Sequence, residues 1–248
     1  MGPAAYRWSV VIPAYNEAER LPAYLEQIVA YFDGRDEPYE VVVVDDGSAD
    51  ETGVRARELG LRHPAVKLHT HARNRGKGWA VRAGMLRAQG ALRLMADADG
   101  ATRIAEVERL EAAIDAGADV AIGSRALRDA AVIRQVRRHR QLAGGVFNLA
   151  VRGLGLSGVA DTQCGFKLFR ADVAEDLFAV LGTHGLAFDV ELLLRAQRRG
   201  YRVAEVPVSW TDQPGSKVGV LGDGLKMLGE ILVARWRLAR HRGSRRSE

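Results

Sequence analysis

The chain has 248 residues, 47% of them hydrophobic and 27% charged, the balance of a globular protein with a substantial core. Its single cysteine, Cys164, excludes an internal disulfide and a cysteine-clustered zinc site. The net charge of +5 is unevenly placed: ten arginines and no acid occupy residues 134–140 and 235–246, and elsewhere acids outnumber bases.

Apolar, β-branched runs at 8–12, 40–44, 66–71, 91–95 and 119–122 predict strands, with amphipathic helical stretches between them. Leu21, Leu25, Ile28, Val29 and Phe32 mark the first helix by their spacings of three and four. The run Val41-Val-Val-Val44 does not alternate, as expected of a strand buried on both faces of a parallel sheet. Ser48 and Glu51 have capping-box spacing, which predicts a helix starting there with Ser48 as its N-cap. The second half is less regular, with helical patterns near 132–152, 170–181, 189–199 and 221–240 around extended pieces at 164–169 and 203–209. No linker or internal repeat divides the chain. The expected organisation is one α/β domain over 1–219, followed by an amphipathic helix and basic tail over 220–248.

In open α/β sheets, ligands bind beyond the carboxyl ends of the strands, so the chemistry is expected just after each strand. The first strand ends in Pro13-Ala-Tyr-Asn-Glu17, without the Gly-x-Gly-x-x-Gly of a dinucleotide fold. Gly76-Lys-Gly-Trp has neither the spacing nor the Ser or Thr of a Walker A loop, so dehydrogenase and P-loop readings fall. The second strand ends in Asp45-Asp46-Gly-Ser48. A carboxylate there can accept paired hydrogen bonds from a base edge or a ribose, and Asp46 reads as a nucleotide contact. The fourth strand ends in Asp97-Ala98-Asp99. Mg²⁺ takes one or two protein carboxylates and fills its shell with water and phosphate oxygens, so this pair suits a metal–diphosphate site. His69 and His71 have no third ligand candidate, and Cys164 reads as a packed small residue.

Four segments in order, Val10-Val-Ile-Pro-Ala-Tyr-Asn-Glu17, Val43-Val-Asp-Asp-Gly-Ser48, Asn74-Arg-Gly-Lys-Gly78 and Asp97-Ala-Asp99, resemble family 2 of the GT-A glycosyltransferases. Further segments narrow the likeness to the dolichyl-phosphate β-glucosyltransferases, with polyprenyl-phosphate mannose synthases as close relatives. They are Ala98-Asp-Gly-Ala-Thr102, Ile122-Gly-Ser-Arg125, Asp161-Thr-Gln-Cys-Gly-Phe-Lys167, Phe188-Asp-Val-Glu-Leu192 and Trp210-Thr-Asp-Gln-Pro-Gly-Ser-Lys217. The resemblance spans about residues 8–220. It implies a GT-A fold, a Rossmann-like open mixed sheet flanked by helices, here with a C-terminal helical appendage. It also implies inverting transfer of a hexose, glucose before mannose, from a nucleoside-diphosphate sugar to a polyprenyl or dolichyl phosphate. UDP-glucose is the preferred donor and GDP-mannose the next. The alternative is a soluble family 2 enzyme acting on a hydroxyl of a small molecule or saccharide.

The resemblance also implies roles. Asp97 and Asp99 would hold Mg²⁺ or Mn²⁺. Pro13, Tyr15, Glu17, Asp45, Asp46, Lys77 and Ala98 would surround the nucleotide sugar, and Arg125 and Lys217 would add positive charge at the diphosphate. Gln163 falls toward the acceptor, and Arg134, Arg137, Arg138 and Arg140 are expected to meet its phosphate or anionic headgroups. Asp189 would serve as general base for a hydroxyl, or position a phosphate that is already ionised; an N-cap of the helix at 189–199 is the structural reading of the same residue. Three of the five lysines, Lys77, Lys167 and Lys217, fall in matched segments, while Lys67 and Lys226 read as surface.

No stretch approaches the roughly 18 uninterrupted apolar residues of a membrane-spanning helix. The opening residues lack the basic-then-apolar pattern of a leader. The expectation is a cytoplasmic enzyme, peripheral on the inner face of an anionic membrane. Residues 221–234 are expected to pack on the domain or a second subunit, and 235–246 to contact lipid. The acidic body and the lack of a nucleic-acid motif argue against a nucleic-acid partner, and a homo-oligomer is left open.

Overall fold

The computed structural model describes residues 4–130, 132, 134–135, 156, 158–213 and 222–243. Its central feature is a seven-stranded sheet in the order β3-β2-β1-β4-β7-β5-β8. The strands are β1 (Tyr6–Ala14), β2 (Tyr39–Asp45), β3 (Val66–Thr70), β4 (Gly90–Ala96), β5 (Val120–Ser124), β7 (Phe166–Arg170) and β8 (Val203–Pro207). β1 pairs in parallel with β2 (Val10 opposite Val41) and with β4 (Val10 opposite Leu94). β7 runs antiparallel between β4 and β5, which makes the sheet mixed.

Successive residues point to opposite faces of a strand, and both faces are covered. Val10, Ile12, Val41, Val43 and Leu94 pack in one core with helices α1 (Leu21–Asp33), α2 (Thr52–Arg62) and α4 (Val107–Asp115). Val11, Val42, Val44 and Met95 pack in the other, with α3 (Lys77–Arg87), α5 (Ala171–Ala179), α6 (Phe188–Arg198) and α7 (Gly222–Gly243). This two-sided burial explains the non-alternating valine run of β2. In α1 the buried face is Leu21, Tyr24, Leu25, Ile28, Val29 and Phe32, and Pro22 sits in the first turn, where its missing N–H is harmless.

Two local expectations need correction. Ser48 is not a helix cap, because α2 begins only at Thr52. The Ser48 hydroxyl instead accepts the Asn16 N–H at 2.9 Å, while Asp50 accepts the Thr52 N–H at 3.0 Å. The helix expected near 132–152 does not begin as one. Arg134 and Gln135 are extended (β6) and pair in parallel with Trp210 and Thr211 (β9), so their backbone groups serve a ladder. The rest of that segment lies outside the described residues, as do Arg137, Arg138, Arg140 and Lys217.

α7 buries Met227, Ile231, Ala234 and Leu238, at spacings of four, three and four. Glu230 accepts the Ala187 N–H at 3.1 Å, and Arg237 donates to the Gly182 carbonyl at 3.0 Å. The helix therefore packs on the α6 side of the central sheet. Among the described residues no helix is long and apolar enough to cross a membrane.

Candidate active site

Parallel pairing of β1, β2 and β4 brings Ala14, Asp45 and Ala96 to the same, carboxyl end of the sheet, so Tyr15–Glu17, Asp46 and Asp97–Asp99 emerge together. A cavity of about 660 Å³ opens there. From the expected set it is lined by Pro13, Tyr15, Glu17, Asp46, Lys77, Asp97, Ala98 and Asp99.

The first wall is the loop after β1, stapled to the loop after β2. The Glu17 N–H donates to Thr52 Oγ1 at 2.7 Å, and the Ala49 N–H donates to Asn16 Oδ1 at 2.8 Å. Asn16 takes a positive φ of 55°, which its short amide tolerates and which lets the chain turn sharply between Tyr15 and Glu17. Asp45 does not line the cavity; its Oδ1 accepts the Ser48 N–H at 3.0 Å and closes the turn. Asp46 does line it, but its carboxylate is occupied by the next loop. It accepts the Gly76 and Arg75 N–H groups at 2.8 and 3.0 Å and meets His71 Nδ1 at 2.7 Å. Asp46 thereby sets the loop that carries Lys77. Gly76, at φ 98°, lets that loop press on residue 184: a Cβ would lie 2.5 Å from the His184 carbonyl oxygen.

The acidic pair forms the floor. The Asp97 N–H donates to the Gly165 carbonyl at 3.1 Å, the step that hands β4 over to β7. A Cβ on Gly165 would lie 2.0 Å from Asp97 Oδ2, so any other residue there would displace this carboxylate. Lys77 Nζ is 2.6 Å from Asp97 Oδ1, a close ion pair. Asp99 Oδ1 accepts the Ala101 N–H at 3.1 Å, and Arg20 lies 3.9 Å from its other oxygen. Burial and the neighbouring Asp97 raise the Asp99 pKa, against the Ala101 N–H, Arg20 and Lys77. Burial works against the Lys77 ammonium, but Asp97, Asp189 and Asp99 outweigh it and lift its pKa above the ordinary lysine value.

Of the two crowded carboxylates, Asp97 is met closely by Lys77, while Asp99 has Arg20 only at 3.9 Å and is held above its ordinary pKa by burial and by Asp97. Hard oxygen donors at two positions fit Mg²⁺ or Mn²⁺ completed by water and phosphate. Among the described residues no group of three or more His, Cys, Asp or Glu forms a closed metal cage.

Behind the floor lies a second pair. Lys167, on β7 and fully buried, donates to Asp189 Oδ1 and to the Cys164 carbonyl, both at 2.6 Å. Asp189 is the second residue of α6 and its side chain does not cap it; Ala187 holds the N-cap position. Burial raises the Asp189 pKa despite Lys167 and Lys77. Asp189 is not among the residues lining the cavity.

Arg125 is not among the residues lining the cavity. Its guanidinium grips Asp161 through two bonds of 2.7 and 2.9 Å, with the Trp210 ring 5.6 Å away. Burial opposes the ionised Asp161 carboxylate, but Arg125 outweighs burial and holds its pKa below the usual range. Gln163 follows this pair, and its Nε2 is buried without a hydrogen-bond partner. Burial, then Asp161, pushes the Cys164 thiol up to about 12, so it is inert as a nucleophile.

Lys226, read as surface from sequence, lines the cavity from α7, and Arg20 lines it from just before α1. Neither belongs to a matched segment. Arg20 is the more legible of the two, standing three residues after Glu17, with which it pairs at 2.7 Å.

A mixed sheet with one antiparallel strand let in beside an acidic pair is the architecture of the GT-A glycosyltransferases. The glucosyl-3-phosphoglycerate synthase of Mycobacterium tuberculosis, solved with Mn²⁺, uridine diphosphate and glucosyl-3-phosphoglycerate, shares it at a TM-score of 0.70 and 19% identity, over 93% of this chain and 80% of that one. Residues 9–178 match Glycosyl transferase family 2, and the chain belongs to that family. A dolichyl-phosphate beta-glucosyltransferase of Trichomonas vaginalis is 39% identical over 230 residues, 89% of this chain and 68% of that protein. The human dolichyl-phosphate beta-glucosyltransferase is 39% identical over 242 residues, 92% of this chain and 75% of the human one.

Proposed function

We propose that this glycosyltransferase moves glucose from UDP-glucose to a polyprenyl phosphate of the dolichyl type, with Mg²⁺ or Mn²⁺, while bound peripherally to the cytoplasmic face of an anionic membrane. The observation that carries the reading is the Asp97–Asp99 pair at the end of β4, inside a cavity and facing Lys77 at 2.6 Å. The names of the relatives at 39% identity support glucose and dolichyl phosphate. The Mn²⁺ and uridine diphosphate of the solved neighbour support the ion and the nucleotide.

In an inverting transfer the acceptor oxygen bonds to the anomeric carbon as the bond to the diphosphate oxygen breaks, and the electron pair leaves with the nucleoside diphosphate. Negative charge grows on the diphosphate, so stabilisation there matters most. Asp97 and Asp99 would hold the divalent ion, which neutralises the diphosphate when bound. The Lys77 ammonium works at the same place. It opens α3, whose first turn carries no acid, so the helix N-terminus also favours a phosphate. Lys226 adds charge from α7, and Lys217 is proposed to join it. Pro13, Tyr15 and Glu17 would border the base and ribose, while Asp45 and Asp46 hold the loops that shape this pocket. Arg125 acts through Asp161, fixing the segment that leads to Gln163 and β7.

The acceptor decides what Asp189 does. A phosphate monoester has a second pKa near 6 and attacks as a dianion at neutral pH, needing no base. Asp189, held by Lys167 and off the cavity wall, suits that acceptor as a positioning residue. Asp189→Asn keeps an oxygen for Lys167 and should lower turnover of polyprenyl phosphate by about tenfold or less, with an unchanged pH–rate profile above pH 7. A hydroxyl acceptor would instead lose about 10²–10⁴-fold, the usual contribution of a general base. A loss of that size with polyprenyl phosphate would contradict the positioning role.

A further inference from the structure

α7 is apolar on two sides. Met227, Ile231, Ala234 and Leu238 are buried in the domain core. At 100° per residue, Leu232, Val233 and Trp236 fall on the far side of the same helix, and they are 57%, 47% and 56% exposed. Core packing does not account for three large apolar residues held outward in a row. Toward the C-terminal side of the ridge the charge has one sign, and the nearest acid on the helix, Glu230, is turned to the Ala187 N–H. From Ile231 to Ser247 the sequence carries six arginines and no acid, and Arg235 and Arg237 flank Trp236 on exposed positions.

The neighbouring surface continues the pattern. Arg237 reaches the Gly182 carbonyl, next to His184. Burial, then Arg75, Arg237 and Arg82, depresses the His184 pKa against the opposing charge of Glu191, which is itself tied to Thr183 and Arg195. Arg75 lies 3.6 Å over the ring of Trp79, and that ring meets His184 edge-on at 4.7 Å. Val180, 41% exposed, follows Ala179, whose carbonyl accepts from Arg82. Aromatic and aliphatic groups set among arginines match the boundary between acyl chains and anionic headgroups, where the ridge is buried shallowly and the guanidinium groups meet phosphate. Along α7, Trp236 is ten residues from Lys226 at the cavity, about 15 Å at helical rise.

We infer that the outward face of α7, centred on Leu232, Val233 and Trp236 with Arg235 and Arg237, docks the enzyme on an anionic phospholipid bilayer. The expected contact thus begins within the helix, earlier than the division at residue 235 read from sequence. The inference deepens the lipid-phosphate reading and rests on it for its purpose, but vesicle binding is measured apart from transfer.

The test compares the full chain with Leu232→Glu/Trp236→Glu in co-sedimentation with phosphatidylcholine vesicles containing about 30% phosphatidylglycerol, a charge density like that of an anionic leaflet. Wild type should sediment with these vesicles, bind pure phosphatidylcholine far less, and lose binding as salt rises. The double variant should lose at least about tenfold in partitioning, with an unchanged melting temperature and unchanged UDP-glucose affinity. Equal binding of both proteins, or equal binding to both vesicle types, would overturn the inference. A wild-type oligomer that dissociates in the double variant would overturn it too, by assigning the ridge to a second copy. A failure of the transfer reading registers separately, as vesicle binding without turnover of a detergent-solubilised acceptor.

Discussion

Asp99→Asn is expected to lower glucosyl transfer by about 10²–10³-fold, the usual cost of removing one electrostatic partner of a developing charge. Asparagine keeps the oxygen that accepts the Ala101 N–H at 3.1 Å, so the turn after β4 should survive and the melting temperature should hold. What disappears is one of two carboxylates crowded at the end of β4. Titration of Mn²⁺ into the protein with uridine diphosphate should show weakened ion binding, and no excess of metal should restore the wild-type rate. Asp97→Asn should be at least as damaging, because it also releases Lys77 from its ion pair. A variant Asp99→Asn that turned over at the wild-type rate would remove the ion from this pair.

The second large effect concerns Lys167. Its ammonium is fully buried and holds Asp189 Oδ1 and the Cys164 carbonyl. Lys167→Met leaves Asp189 buried without its main counter-charge, which should cost about 3–5 kcal/mol of stability, visible as a lower urea midpoint. Lys167→Met/Asp189→Leu removes both charges, and most of that stability should return. Transfer should stay low in both variants, because neither retains the paired carboxylate behind Asp97. If the single and double variants were equally unstable, Lys167 would act through packing and not through its pair.

The strand ends were legible because each chemical residue follows directly on an apolar run whose type is plain from sequence. Pro13, Tyr15, Asp46 and Asp97 needed only the parallel order of β1, β2 and β4 to come together. The ion pairs behind them were not legible. Arg125 with Asp161, and Lys167 with Asp189, join residues far apart along the chain, and no local period reports such a meeting. The direction of β7 was equally hidden, since Phe166–Arg170 reads the same way in either sense. Ser48 misled because its capping-box spacing is real, but the loop spends its hydroxyl on Asn16 and the helix starts only at Thr52, with Glu51 at the N-cap position. Lys226 is exposed, as its surface reading expected, but its place at the cavity depends on how α7 folds back over α6, which no local pattern reports.

The most direct measurement is transfer itself. The full chain, Mn²⁺ or Mg²⁺ and a detergent-solubilised polyprenyl phosphate are incubated in parallel with UDP-glucose, GDP-mannose and other nucleotide sugars, and the lipid fraction is read by mass spectrometry. The expected result is a metal-dependent polyprenyl phosphate bearing one hexose, formed from UDP-glucose, with nucleoside diphosphate released in equal amount. No sugar on the lipid from any donor, or glucose appearing only on soluble hydroxyl acceptors, would contradict the proposed reaction.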